Sequence, residues 1–329
     1  MNIKIYLIGL ILFLLLASII GGIYYYKYNK DQIILNRCLN NDLVADYKIE
    51  KKVDVLGIAT IYVKNNSGDI KNNFRIDDIF KNYHPIELYP CGIYMIRFVN
   101  YNPQKSKQNS DFRAELWKYQ YDGQGRNILL LMDYSYDFRV DPSEKYLVLE
   151  KSYFGKDDHA LVIKDINTKE DILSIKLKDI VQKYSNVIGN IGLIKWTDDG
   201  RYFWADIFDG AYTKGFIRVD SKDWSYQILE MPNDMDIGIT GPVNFNTGYV
   251  TLHPGVVWTG VVEVTQQISE QWLKEGKQSK MYLYNLFTKE RILIVTTDKP
   301  LWEFNPKWIS DTELQYELPT GEKKIYKIQ

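Results

Sequence analysis

Three histidines, His84, His159 and His253, are the side chains of this 329-residue chain best suited to proton transfer near neutral pH. They lie far apart, and two precede proline (His84-Pro85 and His253-Pro254), which reads as turn structure rather than a shared site. Asp157-Asp158-His159 places two carboxylates beside an imidazole and could ligate a metal, but a solvated turn is the favoured reading. Asp234-Met235-Asp236-Ile237-Gly238 has carboxylates at i and i+2, as calcium loops do, but lacks the later bidentate Glu. No Ser stands in G-x-S-x-G, and P-loop, H-E-x-x-H and dinucleotide-glycine motifs are missing from the sequence. The expectation is a protein without catalytic residues, without a bound metal and without a cofactor. Asn65-Asn66-Ser67 fits a glycosylation acceptor and, equally, a hairpin turn.

The elements that would carry any site are strands. The chain is 45% hydrophobic and 14% aromatic, with a net charge of −1, so it presents no basic field for nucleic acid. Abundant Tyr, Trp, Ile and Val suit half-buried strands. Period-two runs between turn signals fall into groups: 92–99, 114–121 and 127–132; 146–150, 160–164 and 172–177; 202–206, 215–219 and 225–230; 249–252, 280–284 and 291–296. Further runs lie at 57–63 and 70–76 near the start and at 313–318 and 323–328 near the end. Short helices are expected at 178–184 and 264–274, the second with Ile268, Trp272 and Leu273 on one face.

One phrase recurs between strands. Its clearest copy is Trp196-Thr197-Asp198-Asp199-Gly200-Arg201-Tyr202, with looser copies at Asp141-Pro142-Ser143-Glu144-Lys145-Tyr146, Phe245-Asn246-Thr247-Gly248-Tyr249 and Trp308-Ile309-Ser310-Asp311-Thr312-Glu313-Leu314. Tyr94, Tyr146, Tyr202 and Tyr249 follow one another at intervals of 52, 56 and 47 residues, a spacing that suits a four-stranded unit. The phrase resembles the W-S-P-D-G-x-x turn of TolB-like β-propellers, and more loosely of WD-repeat-like ones. Asn167-Thr168-Lys169 and Asn285 to Lys289 resemble the polar turns of the second half of such blades. Asp198 stands where the motif has Pro, and Glu144 where it has Gly. The resemblance covers residues 86 onward and implies an all-β propeller of five or six four-stranded blades with short helical insertions. It implies a scaffold or binding fold and brings no catalytic residues.

Aligning the repeats puts aromatics after each second strand: Tyr101; Tyr153 and Phe154; Phe208 and Tyr212; His253 and Trp258. Asp209 and Lys156 add charge there. Aromatic loops supply contact area at small entropic cost, so Tyr101, Tyr153, Phe154, Asp209, Tyr212, His253 and Trp258 form the expected binding set for a protein or glycan. The competing expectation is that they plug the gaps between sheets.

Residues 5–26 carry no charge and are rich in Ile and Leu, enough to cross a hydrocarbon core of about 30 Å as a helix. Lys4 precedes this run; Tyr24, Tyr25, Tyr26, Lys27 and Lys30 follow it. The expectation is an uncleaved anchor in residues 1–30 and an extracytoplasmic domain in 31–329, with a cleaved signal as the alternative. Cys38 and Cys91 are the two cysteines, and in an exported domain they suggest a disulfide worth about 4 kcal/mol across its loop. Altogether the sequence points to a membrane-anchored, extracytoplasmic propeller that binds a partner in the cell envelope. The alternatives are a hydrolase or lyase using acidic residues at the propeller axis, and a purely structural envelope role.

Overall fold

The computed structural model describes residues 47–53, 58–65, 67–77, 86–89, 92–99, 113–120, 125–131, 137–151, 159–181, 190–209, 212–232, 240–254 and 262–328. The chain divides into two compact units, one ending at Met132 and the other beginning at Asp133. Both are mostly β. The expected span 5–26, both cysteines and Asp234–Gly238 lie outside the described residues, and among those described no helix is long and apolar enough to cross a membrane.

In the first unit, β1 (Tyr47–Val53), β2 (Ile58–Asn65) and β3 (Ile70–Asp77) form a three-stranded antiparallel meander. Gly68, at φ 88°, supplies the left-handed residue of the β2–β3 turn beside Ser67. β4 (Ile86–Tyr89), β5 (Gly92–Val99), β6 (Arg113–Tyr119) and β7 (Gly125–Leu130) form a four-stranded meander. Ile93, Tyr94, Met95, Ile96, Ala114 and Leu116 are buried in it.

The second unit repeats the meander. Sheet C runs β8 (Phe138–Val140), β9 (Tyr146–Lys151), β10 (Ala160–Asp165), β11 (Asp171–Lys176). A short helix, α1 (Leu177–Val181), follows it. Sheet D runs β12 (Asn190–Trp196), β13 (Tyr202–Asp209), β14 (Tyr212–Asp220), β15 (Tyr226–Glu230). Sheet E runs β16 (Thr240–Asn244), β17 (Tyr249–Leu252), β18 (Ser279–Asn285), β19 (Arg291–Thr297), with helix α2 (Val262–Glu275) inserted between its middle strands. Sheet F is three-stranded: β20 (Lys307–Trp308), β21 (Glu313–Glu317), β22 (Lys323–Lys327). The strands expected from alternation are present within a few residues of their expected bounds. The first strand of each sheet (β1, β4, β8, β12, β16, β20) was not among the expected runs. Each end of the described chain builds a sheet of its own, with three strands rather than four.

Alternation along β13 explains how the sheets stack. Phe203, Ala205 and Ile207 pack with Val148, Leu161 and Ile163 of sheet C. Trp204, between them, points the other way and packs with Val250, Leu252 and Tyr284 of sheet E. Side chains alternate faces along a strand, so one strand feeds two cores. Met281 and Leu283 of sheet E then meet Phe304 and Leu314 toward sheet F. Sheets C, D, E and F therefore stack face to face in chain order. Their first strands neighbour one another: Arg139 on β8 donates from Nε to the Ile194 carbonyl (2.7 Å) and from Nη2 to the Leu193 carbonyl (3.1 Å) of β12.

Candidate functional site

The two ends of the stacked strands differ in kind. One end holds the short turns that join first to second and third to fourth strands. There the polar turn side chains are consumed by their own backbone. The buried Asp141 carboxylate accepts from the N–H of Ser143, Lys145 and Tyr146 and from the Ser143 hydroxyl. Thr197 Oγ1 accepts from Tyr202 N–H (2.9 Å) and donates to Asp199 (2.6 Å), whose carboxyl this bond and the Arg201 N–H hold below the usual range. Asn244 Oδ1 accepts from the N–H of Asn246 and Thr247. Glu144 and Gly200 take the same left-handed place in the first two turns, at φ 56° and 68°, and in the third the left-handed residue, Gly248 at φ 74°, stands one position later.

The third-to-fourth-strand turns repeat as closely. Asp165, Asp220 and Asn285 each accept turn N–H bonds through their side chains, and Lys169, Trp224 and Lys289 are left-handed at φ 65°, 59° and 64°. The N–H of Ile166, Ser221 and Leu286 donates in turn to the carbonyl of Lys145, Arg201 and Gly248. Tyr146, Tyr202 and Tyr249 pair with Asp165, Asp220 and Asn285, so these three tyrosines are equivalent. Tyr94 is not. It pairs with Lys118, inside its strand, and is fully buried, whereas the other three are half-buried. Spacing along the chain cannot register a strand when the preceding turn differs in length.

The opposite end carries connections of unequal length: 152–159 in sheet C, 210–211 in sheet D, 253–278 with α2 in sheet E, and 318–322 in sheet F. Perturbed groups collect here. His253 follows β17, is 2% exposed, and stacks on Phe304 with ring centroids 6.2 Å apart and 28° between planes. Burial lowers its pKa to about 4, so the ring is neutral at physiological pH. Its Nδ1 and the Oγ1 of fully buried Thr251 have no hydrogen-bond partner among the described residues. Gly241 on β16 makes room for both: a Cβ there would overlap Thr251 Oγ1 and stand 3.2 Å from His253 Nε2.

Sheet D repeats the device. Asp206 occupies the place in β13, four residues after Tyr202, that His253 occupies after Tyr249. A Cβ on Gly192 would overlap its carboxylate. Burial pushes the Asp206 carboxyl up, opposed by bonds from its own and the Gly192 backbone N–H. Glu150, half-buried, holds the same place in sheet C. Sequence reasoning missed this pairing of a first-strand glycine with a polar second-strand side chain. Its signal was present, as Gly192 and Gly241 interrupt otherwise β-favouring stretches.

The β19–β20 connection lies at this end too, and three of its residues other than glycine are left-handed: Leu301 (φ 54°), Phe304 (φ 59°) and Asn305 (φ 42°). Such backbone costs energy in bulky residues and persists where the surroundings fix it. Ser279 Oγ donates to the Lys299 carbonyl (2.8 Å) and accepts from Trp302 N–H (3.0 Å); Trp302 Nε1 donates to the Glu317 carbonyl (2.9 Å). Phe304 is fully buried and its carbonyl accepts from Glu317 N–H (2.7 Å).

Of the expected binding set, Tyr101, Tyr153, Phe154 and Trp258 lie outside the described residues, as does Lys156. Asp209 and Tyr212 are not on a long connection; they are the last pair of the β13–β14 hairpin. Phe208 sits half-buried within β13. His253, expected on an exposed loop, is packed. His84 lies outside the described residues; His159 is half-buried, and its carbonyl accepts from Leu177 N–H (2.8 Å). The second expected helix forms as α2, but Leu273 is 62% exposed while Trp272 is buried, so they do not share a face. Among the described residues, no group of three or more His, Cys, Asp or Glu is placed to hold a metal.

No protein-family model matches the chain, and no curated protein matches it in sequence. Solved structures similar to it include TolB from Acinetobacter baumannii (12% identity, TM-score 0.40), with 86% of this chain covering 61% of that one. The β-propeller domain of the Trilobed protease from Pyrococcus furiosus is similar at 12% identity and TM-score 0.44, over 86% of this chain and 77% of that one. Putative TolB from Agrobacterium tumefaciens is similar at 11% identity and TM-score 0.37, over 76% of this chain and 81% of that one.

Proposed function

We propose that the chain is a β-propeller-type binding or scaffold module, its sheets acting as blades and its insertion end as the recognition surface for a protein or glycan. One observation carries this reading. The turns of sheets C, D and E repeat the same side-chain caps and are satisfied internally, whereas the connections of the opposite end vary from the two residues 210–211 to the helical insertion 253–278. A scaffold that keeps one end constant and varies the other concentrates specificity in the varied loops. Residues 5–26 anchor the module in a membrane, the domain is extracytoplasmic, and Cys38 and Cys91 form a disulfide. Carbonate extraction and thiol titration of the unreduced protein check those three assignments.

The test is site-specific photocrosslinking in native cells. A photoreactive residue at Leu273 on α2 should capture a partner, while one at Asn167, exposed in a turn of the other end, should not. Equal capture from both positions overturns the assignment. A second reading, acid–base chemistry by an extracytoplasmic hydrolase or lyase, draws support from the raised carboxyl of Asp206 at the same end. It requires Asp206→Asn to abolish turnover of a polysaccharide or peptide substrate without loss of partner capture at Leu273.

A further inference from the structure

Arg218 stands where its counterparts are aliphatic. On β14 it pairs with Trp204, two residues after Tyr202. The same place on the third strand holds Ile163 in sheet C and Leu283 in sheet E, both fully buried. Arg218 shares its face of sheet D with Phe216, which packs toward sheet E. A cation at a repeated core position costs desolvation unless something compensates it.

The compensation within the chain is aromatic rather than anionic. The guanidinium carbon lies 4.4 Å from the ring centre of Tyr202, 4.5 Å from that of Phe287 and 6.0 Å from that of Trp204. Gly248 makes room for Phe287, since a Cβ there would overlap its ring. Asp220, two residues along the same strand, is already taken: its oxygens accept from the Arg201 guanidinium and from Lys222 N–H. Arg218 forms no ion pair among the described residues, and its hydrogen bond runs from Nη2 to Gln227 Oε1 at 3.1 Å. Tyr202 and Arg218 are half-buried and Phe287 is exposed, so the cluster opens to solvent. A guanidinium packed on aromatic rings keeps its N–H groups directed in its own plane, and of its five donors one is engaged here.

We infer that Arg218 is a receptor for a ligand carboxylate, held bidentately by the remaining edge of its guanidinium, with the Tyr202 and Phe287 rings as apolar walls. A planar carboxylate matches that fork through two parallel charge-assisted bonds. The rings favour an acid carried on a flat apolar body. The carboxylate can belong to a small aromatic acid or to a Glu side chain of a peptide, and the experiment separates the two. The site lies between sheets D and E and uses none of the residues of the insertion end.

The experiment titrates the full chain by calorimetry with benzoate, with benzamide as its neutral isostere, with acetyl-Glu-amide and with inorganic phosphate. A carboxylate should bind saturably, benzoate about tenfold or more tighter than benzamide where the acid is small and aromatic. Preference for acetyl-Glu-amide assigns the carboxylate to a peptide. Arg218→Lys, which keeps the charge without the fork, should weaken binding about tenfold. Arg218→Leu, which restores the residue type of Ile163 and Leu283, should abolish it while melting at or above the wild-type temperature. The proposal is overturned if neither carboxylate binds, if phosphate binds more tightly than both, or if Arg218→Leu retains binding. Should that variant fail to fold, the comparison of charged with neutral ligands on the wild type decides: equal binding of benzoate and benzamide, without preference for acetyl-Glu-amide, sinks the carboxylate assignment.

Discussion

The guanidinium of Arg201 grips the Asp220 carboxylate through two parallel bonds, Nε to Oδ1 at 2.7 Å and Nη2 to Oδ2 at 2.8 Å. It thereby ties the first turn of sheet D to its third-to-fourth-strand turn. The pair holds the Asp220 carboxyl at about 2, below the ordinary value of 3.8. A depressed carboxylate stabilises the fold fully above its unfolded pKa and loses that contribution as pH falls through the folded one. Asp220→Asn should lower the melting temperature at pH 7 by about 2–4 °C, as befits a half-exposed pair. Wild type and variant should converge as the pH approaches 2. Melting curves at pH 7, 4 and 2 check this.

Buried Asp141 and left-handed Glu144 make opposite predictions within one turn. Asp141→Ala strands several backbone N–H donors and should cost about 3 kcal/mol in chemical denaturation. Glu144→Gly relieves the left-handed backbone that Gly200 supplies at the same place in sheet D, and should be neutral or stabilising by up to about 1 kcal/mol.

Gly241 and Thr251 should be coupled. Gly241→Ala drives a methyl into Thr251 Oγ1 and should destabilise by about 2 kcal/mol, the usual cost of overpacking. In a Thr251→Ala background the same change should cost less, since only the 3.2 Å approaches to His253 Nε2 and to the residue-251 Cβ remain, giving a double-mutant coupling of about 1–2 kcal/mol. Thr251→Val alone, which removes a buried hydroxyl without a partner, should raise stability by about 1 kcal/mol.

His253 sets an acid limit. Its folded pKa of about 4 lies below the 6.5 of an exposed imidazole, so the unfolded chain binds the proton more tightly. Stability is complete above pH 6.5 and falls between 6.5 and 4, by about 3 kcal/mol at most. The pH dependence of denaturation should flatten in that window in His253→Gln. An unchanged slope would assign the acid sensitivity to other groups.

The sequence by itself determined the strands and the turn end. Asp141, Thr197, Asp220, Asn244 and Asn285 bond backbone atoms within five residues, so residue type and spacing suffice to announce them. Second and third strands were legible for a related reason: alternation is local, and it persists because both faces of these strands are buried between neighbouring sheets. The first strands were not. β8 and β20 are three and two residues long, too short for a period to register. Tertiary structure alone decided the insertion end. His253 reads in sequence as a loop residue before Pro254, but sheet E stacks on sheet F and closes Phe304 over it from 51 residues downstream. Gly241 and Gly192 acquire meaning only opposite Thr251 and Asp206, which a bulged register sets. These relationships join residues that no local pattern connects, because burial and hydrogen-bond partners are properties of the packed sheets rather than of the chain that forms them.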